Sequence, residues 1–496
     1  MTFLKKIFLS CLVFFIVTAV TAQNVDRASD ITIRIPDSTY IDSLAKLTVN
    51  QITIKGNRHT RTYIILREIQ FKVGDSISLF QLNEELQKAR QQIYNTTLFN
   101  EVKIDMLVGP DQAMNMTVTV KERWYIFPLP YIQLADRNLN EWLVKHNGDL
   151  SRLDYGIKFT HYNLSGRRDQ LNIFLINGYN RNLSFSYSAP NSNAKLTRGF
   201  VLAGGFSQNK EIPFTTSDSN RSLFYKAGVG QFARESWNVN AGYLIRNGIK
   251  SRHLINLSFT HSSISDSVNK KIADTARHFG RAPVYYFGDS TTAQKDYLDI
   301  TYKYIYLNVN NAAYPLQGTT AGITLLKRGF EFTGGLNVFS VYGTYNKYWN
   351  LTKGWYVSTE LQGKVKLPFN QPAYINQFGL GYGDNFLRGQ EYYVIDGSAY
   401  GIAQSTLKKK VLSFSFPFLF KSIAQRIPFT IFAKTYADIG TVYTPYKYEA
   451  LLNNRFLYTG GIGIDVLTFY DLNFNVEYSY NQLGKKGLFL HLFWGL

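Results

Sequence analysis

The sequence predicts a transmembrane β-barrel of about sixteen antiparallel strands, preceded by one small α/β domain. Three observations carry that expectation. The chain opens on an export signal, no later stretch is apolar and long enough for a membrane helix, and segments of alternating polarity recur from about residue 153 to residue 496.

The first 22 residues have the layout of a secretory signal: Lys5 and Lys6 at the start, an apolar run from Ile7 to Val17, and small residues through Val20-Thr21-Ala22. Cys11 lies inside that segment, so the expected mature chain has no cysteine, and disulfides and thiol chemistry leave the argument. A membrane-spanning helix needs roughly 20 apolar residues in a row, and nothing after the signal offers them. The chain is nevertheless 16% aromatic, with 35 Tyr, 36 Phe and 37 Gly, a composition suited to the aromatic girdles of a barrel. The net charge of +19 raises the question of nucleic acid. In an exported chain without a nucleic-acid motif, lipid phosphate and a charged lumen are the better sinks.

After a linker at 23–47, residues 48–122 read as a β-α-α-β-β unit. Ile52 and Ile54 alternate with polar neighbours in a first strand that ends at Gly56-Asn57. Thr60 is placed to cap a first helix, and Ser78 with Gln81 to form a capping box before a second. Leu82, Leu86, Ala89 and Ile93 share one face of that second helix. Strands at Val102–Met106 and Met116–Val120 complete a three-stranded sheet. Residues 123–152 read as a connection.

The barrel is expected over 153–496. In Trp355–Leu367, Trp355, Val357, Leu361, Val365 and Leu367 fall on one face, against Glu360, Gln362, Lys364 and Lys366 on the other. A strand between lipid and a wet lumen requires that period of two. Sixteen such segments can be counted, the first near residue 154, the fifth near 222 and the last near 487. The count puts 368–398 between strands 11 and 12, as the sixth external loop. In the last segment Leu488, Leu490, Leu492 and Trp494 share a face, and that strand is expected to meet the first strand at a seam.

Several runs resemble known families. Ile52-x-Ile54-x-Gly56-Asn57, Arg67-Glu68, Gly74-Asp75, Leu98-Phe99-x-x-Val102 and Val118-x-Val120-x-Glu122 resemble a polypeptide-transport-associated (POTRA) repeat. Leu387-Arg388-Gly389 in the sixth loop and Tyr436-Ala437-Asp438-Ile439-Gly440 on strand 13 resemble the paired motifs of the BamA/TamA outer-membrane assembly superfamily. Gln390 stands where an aromatic residue usually follows the glycine, and Gln404 marks a place where a second carboxylate is often found. The resemblance implies a short, single-POTRA member that helps insert or translocate proteins at the bacterial outer membrane, with the POTRA unit in the periplasm. It implies client outer-membrane or surface proteins as partners, other assembly-machine subunits, and contact with lipid and lipopolysaccharide. It pairs Arg388 with Asp438 inside the lumen.

Enzymatic readings lack support. Gly74-Asp75-Ser76 and Gly288-Asp289-Ser290 do not form a nucleophile elbow. The seven histidines show no metal-ligand spacing, and no phosphate-binding glycine loop is present. The expectation is a non-enzyme without cofactor, metal or nucleic-acid partner. The competing reading is a passive, porin-like channel, which the barrel alone would satisfy.

Overall fold

The computed structural model describes residues 30–35, 46–109, 111–134, 147–329, 336–383, 385–417, 426–446, 450–468 and 471–493. The signal, most of the linker and Trp494 lie outside them.

The first unit contains β1 (Ile31–Arg34), β2 (Lys46–Lys55), α1 (Thr62–Leu66), β3 (Ser76–Ser78), α2 (Leu79–Tyr94), β4 (Phe99–Val108) and β5 (Ala113–Glu122). Their sheet runs β1-β4-β5-β2-β3. The three expected strands form its centre, and two short edge strands extend it. In α2 the expected face is the buried one: Leu82, Leu86, Ala89 and Ile93 pack with Val102, Ile104, Met116 and Val118 from the sheet. The expected caps differ. Ser78 occupies the N-cap of α2 without a side-chain bond, and α1 is preceded by Arg61 instead of Thr60. Thr60 bridges instead, its N–H donating to Glu122 Oε1 at 2.6 Å and its hydroxyl accepting from Asn163 Nδ2 at 3.0 Å.

The second sheet has sixteen strands. They are β6 (Ile126–Leu134), β7 (Leu153–Tyr162), β8 (Gln170–Gly178), β9 (Arg181–Ala189), β10 (Arg198–Asn209), β13 (Arg234–Asn247), β14 (Ser251–Ile264), β15 (Gln294–Val309), β16 (Gly318–Arg328), β17 (Val338–Asn350), β18 (Trp355–Leu367), β21 (Ala399–Pro417), β22 (Arg426–Tyr443), β23 (Phe456–Leu467), β24 (Asn473–Asn481) and β25 (Lys486–Phe493). Each pairs antiparallel with its neighbour in this order. The outward parity is apolar around the wall, as at Leu183 and Phe185, Ile255 and Leu257, Leu361 and Val365, Ile462 and Ile464, and Leu488, Leu490 and Leu492, all exposed. That belt is the lipid-facing surface of a transmembrane barrel.

Two assignments along the chain change. The wall begins at β6, inside the segment 123–152 that the sequence reads as a connection, so Tyr155 lies on the second strand, opposite Ile132. The expected strand near 222 is not in the wall. It is β12 (Ser222–Lys226), paired only with β11 (Glu211–Thr216) in a hairpin of its own. One strand is gained and one lost, so 368–398 still joins strands 11 and 12, and it carries the short pair β19 (Phe378–Leu380) and β20 (Ile395–Asp396).

The end of the wall nearest the first domain is tied to it by polar contacts. Glu68 accepts both arms of the Arg246 guanidinium, each at 2.6 Å, with both side chains buried. Arg123 donates to Asp471 at 2.7 Å, Arg67 to Asn191 at 2.6 Å, and Asn95 to the Val309 carbonyl at 2.8 Å. These partners sit on or beside three successive near-end turns, those after β9, β13 and β15, and the turn between β23 and β24. The domain therefore lies across the near mouth of the barrel. The far mouth carries a core of its own. The hairpin β11–β12 gives Ile212 and Phe214, the helix α3 (Asp266–His278) gives Val268 and Ile272, and the loops give Tyr286, Phe287 and Tyr374.

Candidate functional site

The site forms where the loop 368–398 enters the barrel and meets the inner face of β21 to β25. Inward positions there align across strands: Glu360, Gln404, Asp438, Thr459 and Asn481 are successive cross-strand partners from β18 to β24. One row away lie Thr406, Tyr436, Gly461 and Ser479. Antiparallel register with inward parity stacks polar groups of neighbouring strands into rows.

The loop tip docks on these rows residue by residue. Leu387 is fully buried and packs at Gly440, where a Cβ would lie 3.4 Å from its methyl. Arg388 uses its backbone N–H and Nε on Asp438 Oδ2 at 3.1 and 2.9 Å, while Nη2 reaches Oδ1. Its Nη1 donates to Thr406 Oγ1 at 2.9 Å, and the guanidinium lies 4.0 Å from the centre of the Tyr436 ring. Asp438 is 0% exposed, so the pair is desolvated and bidentate, the geometry in which arginine and carboxylate bind most firmly. Gly389 has φ +84°, and a Cβ on it would meet the Ser479 Cβ at 2.6 Å. Only glycine combines that backbone with that approach. Its carbonyl accepts from Asn481 Nδ2 at 2.8 Å.

The structure thus brings together Leu387, Arg388, Gly389, Tyr436, Asp438 and Gly440. Gln404 donates to the same carboxylate, its amide 3.2 Å from Asp438 Oδ2. Gln390 donates to Gln482 at 2.7 Å. Leu488, Leu490 and Leu492 lie on the other surface of β25, facing outward, away from the loop.

Sequence reasoning missed a second group beneath the first. Lys434 contacts Asp465 and Glu477, each at 2.5 Å, and Lys408 contacts Asp465 at 3.2 Å. Lys434 and Glu477 lie on β22 and β24, with Gly463 between them on β23. A Cβ on Gly463 would crowd both side chains, at 3.0 and 3.2 Å. The same device serves Tyr436, which reaches over Gly461 to place its hydroxyl 2.5 Å from Ser479 Oγ. The signal was present in the alternation Gly461-x-Gly463 within an inward-facing parity. Near the first domain, Arg246 and Arg252 are direct cross-strand partners. Burial, and then Arg246, pull the Arg67 guanidinium down to about 10.

Comparison with known proteins adds to this geometry. Residues 47–123 match the POTRA family model, described as a surface antigen variable number repeat. No curated protein matches the sequence. Among solved structures, BamA from Haemophilus ducreyi lacking POTRA domains 1–3 aligns at 15% identity and TM-score 0.47, covering 91% of this chain and 84% of that one. CdiB from Escherichia coli aligns at 12% identity and TM-score 0.49, over 90% and 75% of the two chains. CdiB from Acinetobacter baumannii aligns at 11% identity and TM-score 0.47, over 91% and 73%.

Proposed function

We propose that this POTRA-bearing outer-membrane barrel, BamA/TamA-like in its motifs, inserts or translocates client proteins by opening laterally between its first and last strands. The POTRA unit stands on the periplasmic side in this reading, the apolar belt meets lipid and lipopolysaccharide, and the clients are outer-membrane or surface proteins. Other assembly subunits would meet the POTRA surface left free by the barrel.

The observation that carries the proposal is the pair of edges on the sixteen-stranded sheet. Among the described residues, β6 and β25 are its two ends and no ladder joins them. β6 carries Pro128 and Pro130, two residues apart and so of the same parity. Proline survives in a strand where its missing N–H would have pointed away from the ladder, so these two remove donors from the free edge. A seam short of two donors is a weak line in the wall. A client strand supplying its own backbone groups there exchanges unsatisfied for satisfied ones as its apolar face enters lipid.

The POTRA sheet shows how an extended segment can be held. β1 lies parallel on the outer edge of β4, with Ile31 opposite Ile104 and buried in the core. A client strand of alternating apolar residues fits the same edge by displacing β1. The passive-channel reading fits less well, because the POTRA unit spans one mouth and a folded apolar core caps the other.

Cysteine pairs, one scanned along 126–134 and one along 486–493, test the proposal in a mature chain otherwise free of cysteine. Oxidised pairs that crosslink are expected to block client assembly, and reduction to restore it. If crosslinked protein assembles clients as well as reduced protein, lateral opening is not the mechanism.

A further inference from the structure

We infer that Glu391, Glu477 and His491 form a binding site for one divalent transition-metal ion of the zinc class, joining the lumen loop to the last two strands. The inference stands on the side chains and does not depend on the insertion role.

His491 Nε2 lies 3.1 Å from Glu391 Oε1 and 3.8 Å from Glu477 Oε2, and the three ligand atoms fall within 4.8 Å of one another. Tetrahedral zinc with bonds of about 2.0 to 2.1 Å needs its ligands roughly 3.3 Å apart. The trio is at that spacing along one side and slightly open along the others. One imidazole with two carboxylates, and a fourth position for water, is a donor set that zinc accepts.

The second observation is independent of the clustering. Glu477 Oε2 is buried and has no hydrogen-bond partner, although its side chain is 3% exposed. A carboxylate oxygen left bare in a desolvated wall is costly. Its twin, Oε1, is held by Lys434 at 2.5 Å. Lys434 therefore does what an outer-shell partner does at a metal centre, fixing the carboxylate so that the free oxygen points at the site. The imidazole is fixed as well. It stacks between Phe386 and Phe493, with ring centres at 5.8 and 6.0 Å. Glu391 and His491 retain 18% and 19% exposure, which leaves a path for the ion to enter.

The ligands come from positions 391, 477 and 491, so no local spacing motif announces them. The pairing of β24 with β25 and the anchoring of the loop by Arg388 bring them together. A bound ion would neutralise the two carboxylates, displace the proton shared by His491 and Glu391, and tie the loop to the strand at the wall's edge.

The test uses purified full-length protein, folded in detergent, stripped with chelator and titrated calorimetrically with zinc chloride. One saturable zinc per chain is expected. Oxygen-preferring calcium in excess should leave it bound. Glu391→Gln and His491→Asn each change a partly exposed side chain, and each should weaken zinc binding more than about tenfold, the loss that even outer-shell substitutions bring. Heat-modifiable gel mobility checks that both variants are folded. If the chain takes up no saturable zinc, or if the folded double variant binds zinc as the parent does, the three side chains are an ion pair with a spare carboxylate and the inference fails.

Discussion

The two mouths of the barrel are closed by opposite kinds of chemistry. At the near mouth the POTRA unit is held by charge and hydrogen bonds: Glu68 to Arg246, Arg123 to Asp471, Arg67 to Asn191. At the far mouth the hairpin β11–β12, α3 and the long loop share an apolar core of Phe214, Val268, Ile272, Tyr286, Phe287 and Tyr374. Apolar burial is non-directional and survives small shifts. A desolvated ion pair holds only in register, and loss of one partner turns it from an asset into a penalty. The near closure is thus sensitive to the loss of single named contacts, and the far closure spreads its hold over many side chains. Asn220 shows how the far closure is tuned. It sits in the turn of the hairpin, donates to the Val394 carbonyl at 3.1 Å and accepts from Leu452 N–H at 2.7 Å, stitching three loops together.

That contrast can be broken at three points. The largest effect is expected from Arg388→Glu, which sets a second carboxylate against the buried Asp438 and frees the loop that anchors the far closure in the lumen. The loss should exceed the roughly 3 to 5 kcal/mol typical of breaking a buried pair, read as reduced folded-barrel yield on heat-modifiable gels. Asp438→Arg in the same chain should recover part of it, and normal folding of Arg388→Glu alone would sink the pairing. Next comes Glu68→Ala, which leaves Arg246 uncompensated beside Arg67 and Arg252, at a cost of about 3 to 5 kcal/mol confined to POTRA docking. Hydrogen exchange should rise in the near-end turns around 163–169 and 248–250 and stay unchanged in α3. Raising the salt on the parent protein should reproduce little of this, because buried pairs are poorly screened. The smallest is Ile272→Ala at about 2 to 4 kcal/mol, with the opposite pattern: faster exchange in α3 and the hairpin, and a near mouth that stays protected. Variants that loosened both mouths equally would show that the two closures are one cooperative unit.

Much of this organisation was legible in the sequence, and the exceptions have physical causes. The helix face Leu82, Leu86, Ala89 and Ile93 and the strand Trp355–Leu367 follow their periodicities because burial on one side is all they need. β6 escaped because Pro128 and Pro130 argue against a strand everywhere except at an edge. β12 misled because Leu223-Phe224-Tyr225 between Ser222 and Lys226 has the strand-forming residues of a wall segment, and nothing local says that its partner is β11. The loop number survived because those two errors cancel. The Arg388 pairing was readable from motif resemblance. The Glu68 to Arg246 pair was not, since 178 positions separate its members and only the docking of two domains makes them neighbours.

One feature of the wall decides how it can yield. Because Gly461 and Gly463 present no side chains on the inner face of β23, Tyr436 and Lys434 on β22 stride over that strand to grip Ser479 and Glu477 on β24. Three neighbouring staves are therefore cross-braced like a panel, and prising β23 from either neighbour means tearing the brace along with the backbone ladder. β25 lies outside the brace. It is held by its ladder to β24 and by the latch from the loop through Glu391 and His491. Strain applied to this side of the barrel is steered past the panel to that last stave, which can peel while the one behind it stays rigid.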